Sequence, residues 1–150
     1  MTFKLSPRSL DHLKGVDERL QRVVEIAITK TEVDFGVICG LRTVEEQKAL
    51  VAKGASQTMK SKHLDGHAVD LMVFIGSRGS WELNLYDEVA DAMRIAALQV
   101  GVSLRWGAAW HKNLTDWDGT AEDLMNEYID LRRSQGKRPF LDCPHFELVG

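Results

Sequence analysis

Ser61-Lys62-His63-Leu64-Asp65-Gly66-His67-Ala68-Val69-Asp70-Leu71-Met72-Val73-Phe74 contains the transition that decides the fold. Up to Gly66 the stretch is polar and aperiodic; from Ala68 onward it alternates. A two-residue period puts Ala68, Asp70 and Met72 on one strand face and Val69, Leu71 and Val73 on the other, so an aspartate faces a cleft while its neighbours fill a core. Upstream, the absence of periodicity together with Ser, Thr, Lys and Gly extends the irregular segment back to Ala55. Residues 55–66 therefore read as a loop that delivers Ser61 and His63 to the start of a strand.

Working outward, Val33-Asp34-Phe35-Gly36-Val37-Ile38-Cys39 is short and β-branched, the pattern of a strand, with Arg42 at its exit. Thr43 followed by Glu46 forms a capping box and predicts a helix that contains Gln47, runs to about Lys53 and stops at Gly54. Before them, Leu20, Val23, Val24, Ala27 and Ile28 recur at helical spacing over 17–30, entered from the Ser6-Pro7 and Gly15 region. Downstream, Gly76 to Gly79 is a turn. Leu85, Val89, Met93, Ala96, Ala97 and Val100 predict the longest helix over 83–100, ended by Gly101. Residues 102–106 and 144–149 read as strands, and 120–133 as a helix within an otherwise irregular 108–140. Strands and helices without regular βαβ alternation predict an α+β domain rather than a doubly wound one.

A chain of 150 residues is long enough for one hydrophobic core and predicts a single domain over 1–150 with no second module. With 44% hydrophobic and 27% charged residues and no apolar run near the roughly 18 needed for a span, a soluble protein without stable membrane association is expected. A net charge of -3 excludes non-specific nucleic-acid binding, and the basic Arg132-Arg133 and Lys137-Arg138 pairs read as a solvated loop. Cys39 and Cys143 are too few for a disulfide framework and suit a reducing compartment. Met1-Thr2-Phe3-Lys4-Leu5-Ser6-Pro7-Arg8 lacks the apolar stretch of a secretory signal, which predicts a cytoplasmic address.

His63 and Asp70 share the opening motif, and His145 lies in Asp142-Cys143-Pro144-His145-Phe146-Glu147-Leu148. Two imidazoles and a carboxylate suit Zn²⁺ and leave a fourth position for water. Ser-x-His-x-x-Gly-x-Ala-x-Asp, followed much later by an acid, two spacers and His-Phe-Glu-Leu, resembles the zinc peptidases that comprise D-Ala-D-Ala carboxypeptidases and dipeptidases and the L-alanyl-D-glutamate peptidases used by bacteriophages as endolysins. Gly40-Leu41-Arg42-Thr43, Glu46-Gln47 and Trp106-Gly107 are further matches. The resemblance implies a small antiparallel sheet flanked by helices, of the Hedgehog and DD-peptidase kind, with the metal on the open sheet face. It implies one Zn²⁺ per chain on His63, Asp70 and His145, Asp142 as general base and later acid, and Arg42 on the scissile carbonyl or its oxyanion. Ser61 and Trp106 are implied substrate contacts. Where relatives frequently carry Trp-Gly-Gly-Asp-Trp, this chain has Trp106-Gly107-Ala108-Ala109-Trp110, so any contact made by that aspartate is missing.

Several of these residues have rival readings. Arg42 alone is equally an ordinary ion pair, and Trp106 and Trp110 either line a cleft or pack in the core. Glu147 shares a strand face with His145 and either orients it or competes with Asp142 as base. His67 falls on the face opposite Asp70 and reads as a structural hydrogen-bonding residue; Asp65 reads as a turn former. His12 and His111 have no partner motif and are assigned to the surface. Cys143 reads as a small buried residue rather than a nucleophile, and Asp116, Asp118, Glu122 and Asp123 as a solvated segment rather than a calcium loop. The function implied is a phage or prophage endolysin that cleaves the peptidoglycan stem peptide, at the L-Ala-D-Glu bond, acting as a monomer. It would wait in the host cytoplasm until a holin opens the way to the periplasm and wall. The alternatives are a D-Ala-D-Ala carboxypeptidase or dipeptidase and a non-catalytic domain that binds wall peptides.

Overall fold

Local chemistry starts and stops the helices where the pattern places them. In a computed structural model describing residues 3–56 and 58–149, Asp17 caps α2 (Glu18–Lys30) by accepting from the Arg19 N–H at 2.9 Å. Both halves of the Thr43–Glu46 capping box form at the head of α3 (Val44–Ala52). Thr120 caps α5 (Ala121–Ser134). Gly101, in the left-handed region at φ +87°, ends α4 (Leu83–Val100). Ser6 and Pro7 open a further short helix, α1 (Pro7–His12), that the sequence suggested only as an entry segment.

The strands are β1 (Asp34–Cys39), β2 (Ala68–Ile75), β3 (Arg78–Ser80), β4 (Leu104–Trp106) and β5 (His145–Leu148). All pairings are antiparallel, in the order β1-β2-β5-β4, with β3 folded back on β2 through the turn at Gly76. The sequence pattern marks the short β3 only as part of a turn, because three residues are too few to show an alternation. Gln57, inside the predicted loop, and Met1, Thr2 and Gly150 lie outside the described residues.

The alternation in β2 sorts its two faces. Val69, Leu71 and Val73 are buried in the core with Phe35 and Val37 of β1 and Phe146 and Leu148 of β5. Helices α2 and α4 pack there through Leu20, Val23, Val24 and Ala27 and through Val89, Met93, Ala96 and Ala97. Each such side chain, fully withdrawn from water, contributes about 1.5–3 kcal/mol for the larger aliphatics. The opposite face carries Asp70 directly across from His145, and Ala68 across from Glu147. The observed architecture is the expected α+β one. Among the described residues no helix is long and apolar enough to cross a membrane.

One glycine ties the sheet to the helices. Gly66 sits at φ +73°, and a Cβ there would lie 2.5 Å from the Gly15 carbonyl oxygen, while its own carbonyl accepts from the Asp17 N–H at 2.8 Å. Gly66→Ala therefore combines backbone strain with a clash against main chain and should cost about 2 kcal/mol, lowering the thermal midpoint by about 5 °C in a melt followed by circular dichroism. An unchanged midpoint would mean that the loop relaxes freely. His67, beside it, has Nε2 3.6 Å from Asp17 Oδ2, a structural contact at the head of α2.

His111 corrects the sequence reading. Its side chain is only 11% exposed, with Nε2 2.8 Å from Glu127 Oε1 and its ring 5.5 Å from that of Tyr128, both on α5. The partner that sequence spacing hides is supplied by a helix sixteen residues on. Cys39 and Cys143 are both free thiols, and Cys143 is buried.

Candidate active site

Asp70 and His145 face one another because β2 and β5 pair in that register. His63 reaches them from a single turn of 3-10 helix (Lys62–Asp65), whose head is fixed by the Ser61 hydroxyl accepting from the His63 N–H at 3.2 Å. The His63 ring is oriented from behind, with Nδ1 2.8 Å from the Gly40 carbonyl oxygen and Nε2 3.3 Å from Asp70 Oδ1. A carbonyl only accepts, so Nδ1 carries the proton and Nε2 is the nitrogen that faces the site. For His145 the roles are reversed: Nε2 lies 2.8 Å from Glu147 Oε1 and Nδ1 3.2 Å from Asp70 Oδ1. The two imidazoles meet edge to face at 5.1 Å.

Electrostatics follow from this packing. Burial opposes charge on His63, but hydrogen bonding to Asp70 and Cys39 prevails and pushes its pKa up to about 10. Burial likewise opposes charge on His145, and Asp70 with Glu147 raises it to about 9. Asp70 itself is held well below the usual carboxylate range, burial being outweighed by hydrogen bonds from the two histidines. Without a metal, the chain thus holds two imidazolium ions around one carboxylate. Asp142 behaves oppositely: burial, and next the charge of Asp70, push its carboxyl upward.

Asp142 is held by its main chain. Its N–H donates to the Gly107 carbonyl at 2.8 Å, its carbonyl accepts from the His145 N–H at 3.0 Å, and the Gly107 N–H donates to the His145 carbonyl at 2.8 Å. A Cβ on Gly107 would sit 2.1 Å from the Asp142 carbonyl oxygen, so only glycine lets these segments touch. Donor atoms of Asp70, Asp142 and His145 lie within 4.8 Å of one another, as do those of Cys39, His63 and Asp70. The structure therefore contains a group able to hold a metal, with Asp70 common to both sets.

Arg42 makes the ion pair of its plainer reading and also lines the cleft. Its Nη2 is 3.6 Å from Asp70 Oδ2 and donates to Cys39 Sγ at 3.2 Å, while Nη1 donates to Gln47 Oε1 at 2.8 Å. Arg42, Ser61, His63, Asp142 and His145 line one cavity of about 670 Å³, with Trp110 and Phe140 forming an aromatic wall.

Trp106 does not line it. The residue is fully buried and its indole N–H donates to the Cys143 carbonyl at 2.7 Å, supporting the Asp142–His145 turn from behind. Trp110 takes the cleft position assigned to Trp106, its ring 5.5 Å from that of His145. Ala108 and Ala109 are fully buried. Cys143 is driven up to about 12, chiefly by burial, which removes it as a nucleophile at neutral pH.

Two neighbours were given no role by the sequence reading, although Gln47 was among the family matches. Cys39 reaches the site because it pairs with Asp70 across β1 and β2, past an irregularity between Val37 and Cys39. Gln47, fully buried, joins Arg42 to Ser56 and Thr58 through bonds to Ser56 Oγ and the Thr58 carbonyl. The Glu46-Gln47 match to the resembled family was the available signal for it, and on an otherwise mostly exposed helix it is the one buried residue.

Known proteins resemble this chain over nearly its whole length. The sequence profile of the family described as phage L-alanyl-D-glutamate peptidase matches residues 1–149. The L-alanyl-D-glutamate peptidase of Escherichia phage T5 is 33% identical over 153 residues, covering 99% of this chain and 100% of that protein. The L-alanyl-D-glutamate peptidase of Listeria phage A118 is 36% identical over 70 residues, covering 47% of this chain and 24% of that protein. Among solved structures, the Serratia marcescens L-Ala D-Glu endopeptidase ChiX aligns with a TM-score of 0.72 and 32% identity, over 98% of this chain and 90% of that one.

Proposed function

The chain belongs to the phage L-alanyl-D-glutamate peptidase family, and from that premise we propose that it hydrolyses the L-Ala-D-Glu bond of the peptidoglycan stem at a zinc centre held by His63, Asp70 and His145. The observation that carries this reading is that His63 Nε2 and His145 Nδ1 both lie against Asp70 Oδ1, at 3.3 and 3.2 Å, in one open cavity with Asp142, Asp70 being shared by the two groups able to hold a metal, Cys39-His63-Asp70 and Asp70-Asp142-His145. The donor set fits Zn²⁺ because each histidine has its second nitrogen engaged, one by a carbonyl and one by a carboxylate, the outer contacts that orient metal-binding imidazoles. Zn²⁺ bound there supplies Lewis acidity and makes a coordinated water acidic near neutral pH.

The chain's own groups do the rest. Asp142, raised by burial and by Asp70, accepts the proton of the attacking water and returns it to the departing amine of D-glutamate. Glu147 is a poor rival, since it is committed to His145 and sits 3.7 Å from Lys62 Nζ, contacts that outweigh burial and lower its pKa. Arg42 presents a fixed cation, 12% exposed, suited to charge developing on the carbonyl oxygen. Ser61 and Trp110 bound the space available to the peptide. The enzyme acts as a monomeric single domain, stored in the host cytoplasm until a holin admits it to the wall.

Purified protein should lyse Gram-negative cells whose outer membrane has been permeabilised. Lysis should stop with chelator and return with zinc, and the digest should contain stem peptides with a new amino-terminal D-glutamate. Release of D-alanine instead would overturn the bond assignment, and lysis indifferent to chelation would overturn the zinc centre.

A further inference from the structure

Arg42, Lys60 and Lys62 line the cleft, and two of these three are already engaged by protein acceptors. Arg42 is engaged by Gln47, Cys39 and Asp70. Lys62 Nζ donates to the Leu148 carbonyl and sits 3.7 Å from Glu147 Oε2. Lys60 lines the same cavity, is exposed, and its ammonium has no hydrogen bond or ion pair among the described residues.

The backbone holding Lys60 is nevertheless fixed. Its N–H donates to Thr58 Oγ1 at 2.9 Å, and the Thr58 carbonyl accepts from Gln47 Nε2. Gln47 Oε1 in turn receives the Arg42 guanidinium at 2.8 Å. One buried amide thus links the strap bearing the unpaired ammonium to the cation beside Asp70.

The substrate supplies a matching charge. Glutamate has two carboxyl groups and only one can carry the peptide onward, so the other remains a free carboxylate a few bonds from the scissile nitrogen. Resting on the peptidase reading above, we infer that Lys60 is a specificity-determining residue that binds this free carboxylate of the D-glutamate on the leaving side of the scissile bond. The other cations in the cleft are satisfied by protein acceptors, whereas Lys60 gains a charge-assisted contact only when substrate is present. Selection then depends on charge, because amidation of the carboxylate keeps its shape and removes its attraction.

The test uses the zinc-loaded full chain and two synthetic peptides, N-acetyl-L-Ala-γ-D-Glu-L-Lys and its counterpart with the free glutamate carboxylate amidated. The wild-type chain should favour the acid by about tenfold in kcat/KM, the size expected for one hydrogen bond to a charged group. Lys60→Met should lower kcat/KM on the acid by about tenfold, mainly through KM, and bring the ratio between the peptides close to one. Lys60→Arg should keep the preference, and added salt should shrink it in the wild type. Cleavage of both peptides with the same ratio in wild type and Lys60→Met overturns the inference alone. Failure of the wild-type chain to cleave either peptide overturns the peptidase reading, and this assignment with it.

Discussion

Asp142→Ala should leave a folded, zinc-binding chain whose kcat is about 10³-fold lower, the range lost when a positioned general acid–base is removed. The geometry separates the two roles of this residue. Its backbone N–H and carbonyl hold the turn against Gly107 and His145, and both survive truncation of the side chain. The carboxyl makes no hydrogen bond on which the fold depends among the described residues, so circular dichroism and zinc content should match the wild type. Wild-type turnover by a zinc-loaded Asp142→Ala chain would shift the base role to Glu147. A variant that loses zinc would instead make Asp142 part of the metal-holding set, as its proximity to Asp70 and His145 permits.

His63→Ala should remove activity by removing the metal. Zinc at about 1,000 times its dissociation constant stabilises a folded chain by about 4 kcal/mol, a rise of about 10 °C for a domain of this size. His63→Ala should abolish that rise. The protonation states sharpen the test. In the metal-free chain His63 and His145 have pKa values raised to about 10 and about 9, above the value of about 6.5 for the unfolded chain. Their favourable contribution is therefore complete below pH 6.5 and fades as pH rises through 9 and 10. Zinc must displace those protons, so its uptake at pH 7 should release about two protons per chain, and its affinity should weaken as pH falls. Calorimetry in buffers of different ionisation enthalpy measures that count directly. Zinc binding without proton release would contradict the paired imidazolium arrangement.

What could be read from the chain alone was what local chemistry decides. The Thr43–Glu46 cap, the stop at Gly101 and the alternation from Ala68 each depend on residues within one or two turns, and each forms as expected. The convergence of His63, Asp70 and His145 was legible through motif resemblance, because their separation hides a contact that only strand pairing creates. Residues whose placement depends on distant register were opaque. Cys39 meets the site because β1 pairs with β2, and His111 is covered because α5 returns across it. Trp106 and Trp110 differ by four positions, yet one supports the turn from within and the other faces the cleft. Spacing cannot distinguish them, since both are large and apolar and the segment between them has no period.

The position of β5 has a consequence for when the enzyme becomes active. Residues 145–148 form a central strand, lying between β2 and β4, and carry His145 into register with Asp70. A ribosome-bound chain that has emerged only as far as α5 has neither a closed sheet nor a third donor. Sequence-distant pairing of this kind is slow and comes after local helices have formed. The pairing that sets residues 145–148 between the two neighbouring strands is thus the same event that brings His145 to Asp70, so the sheet and the site are completed together.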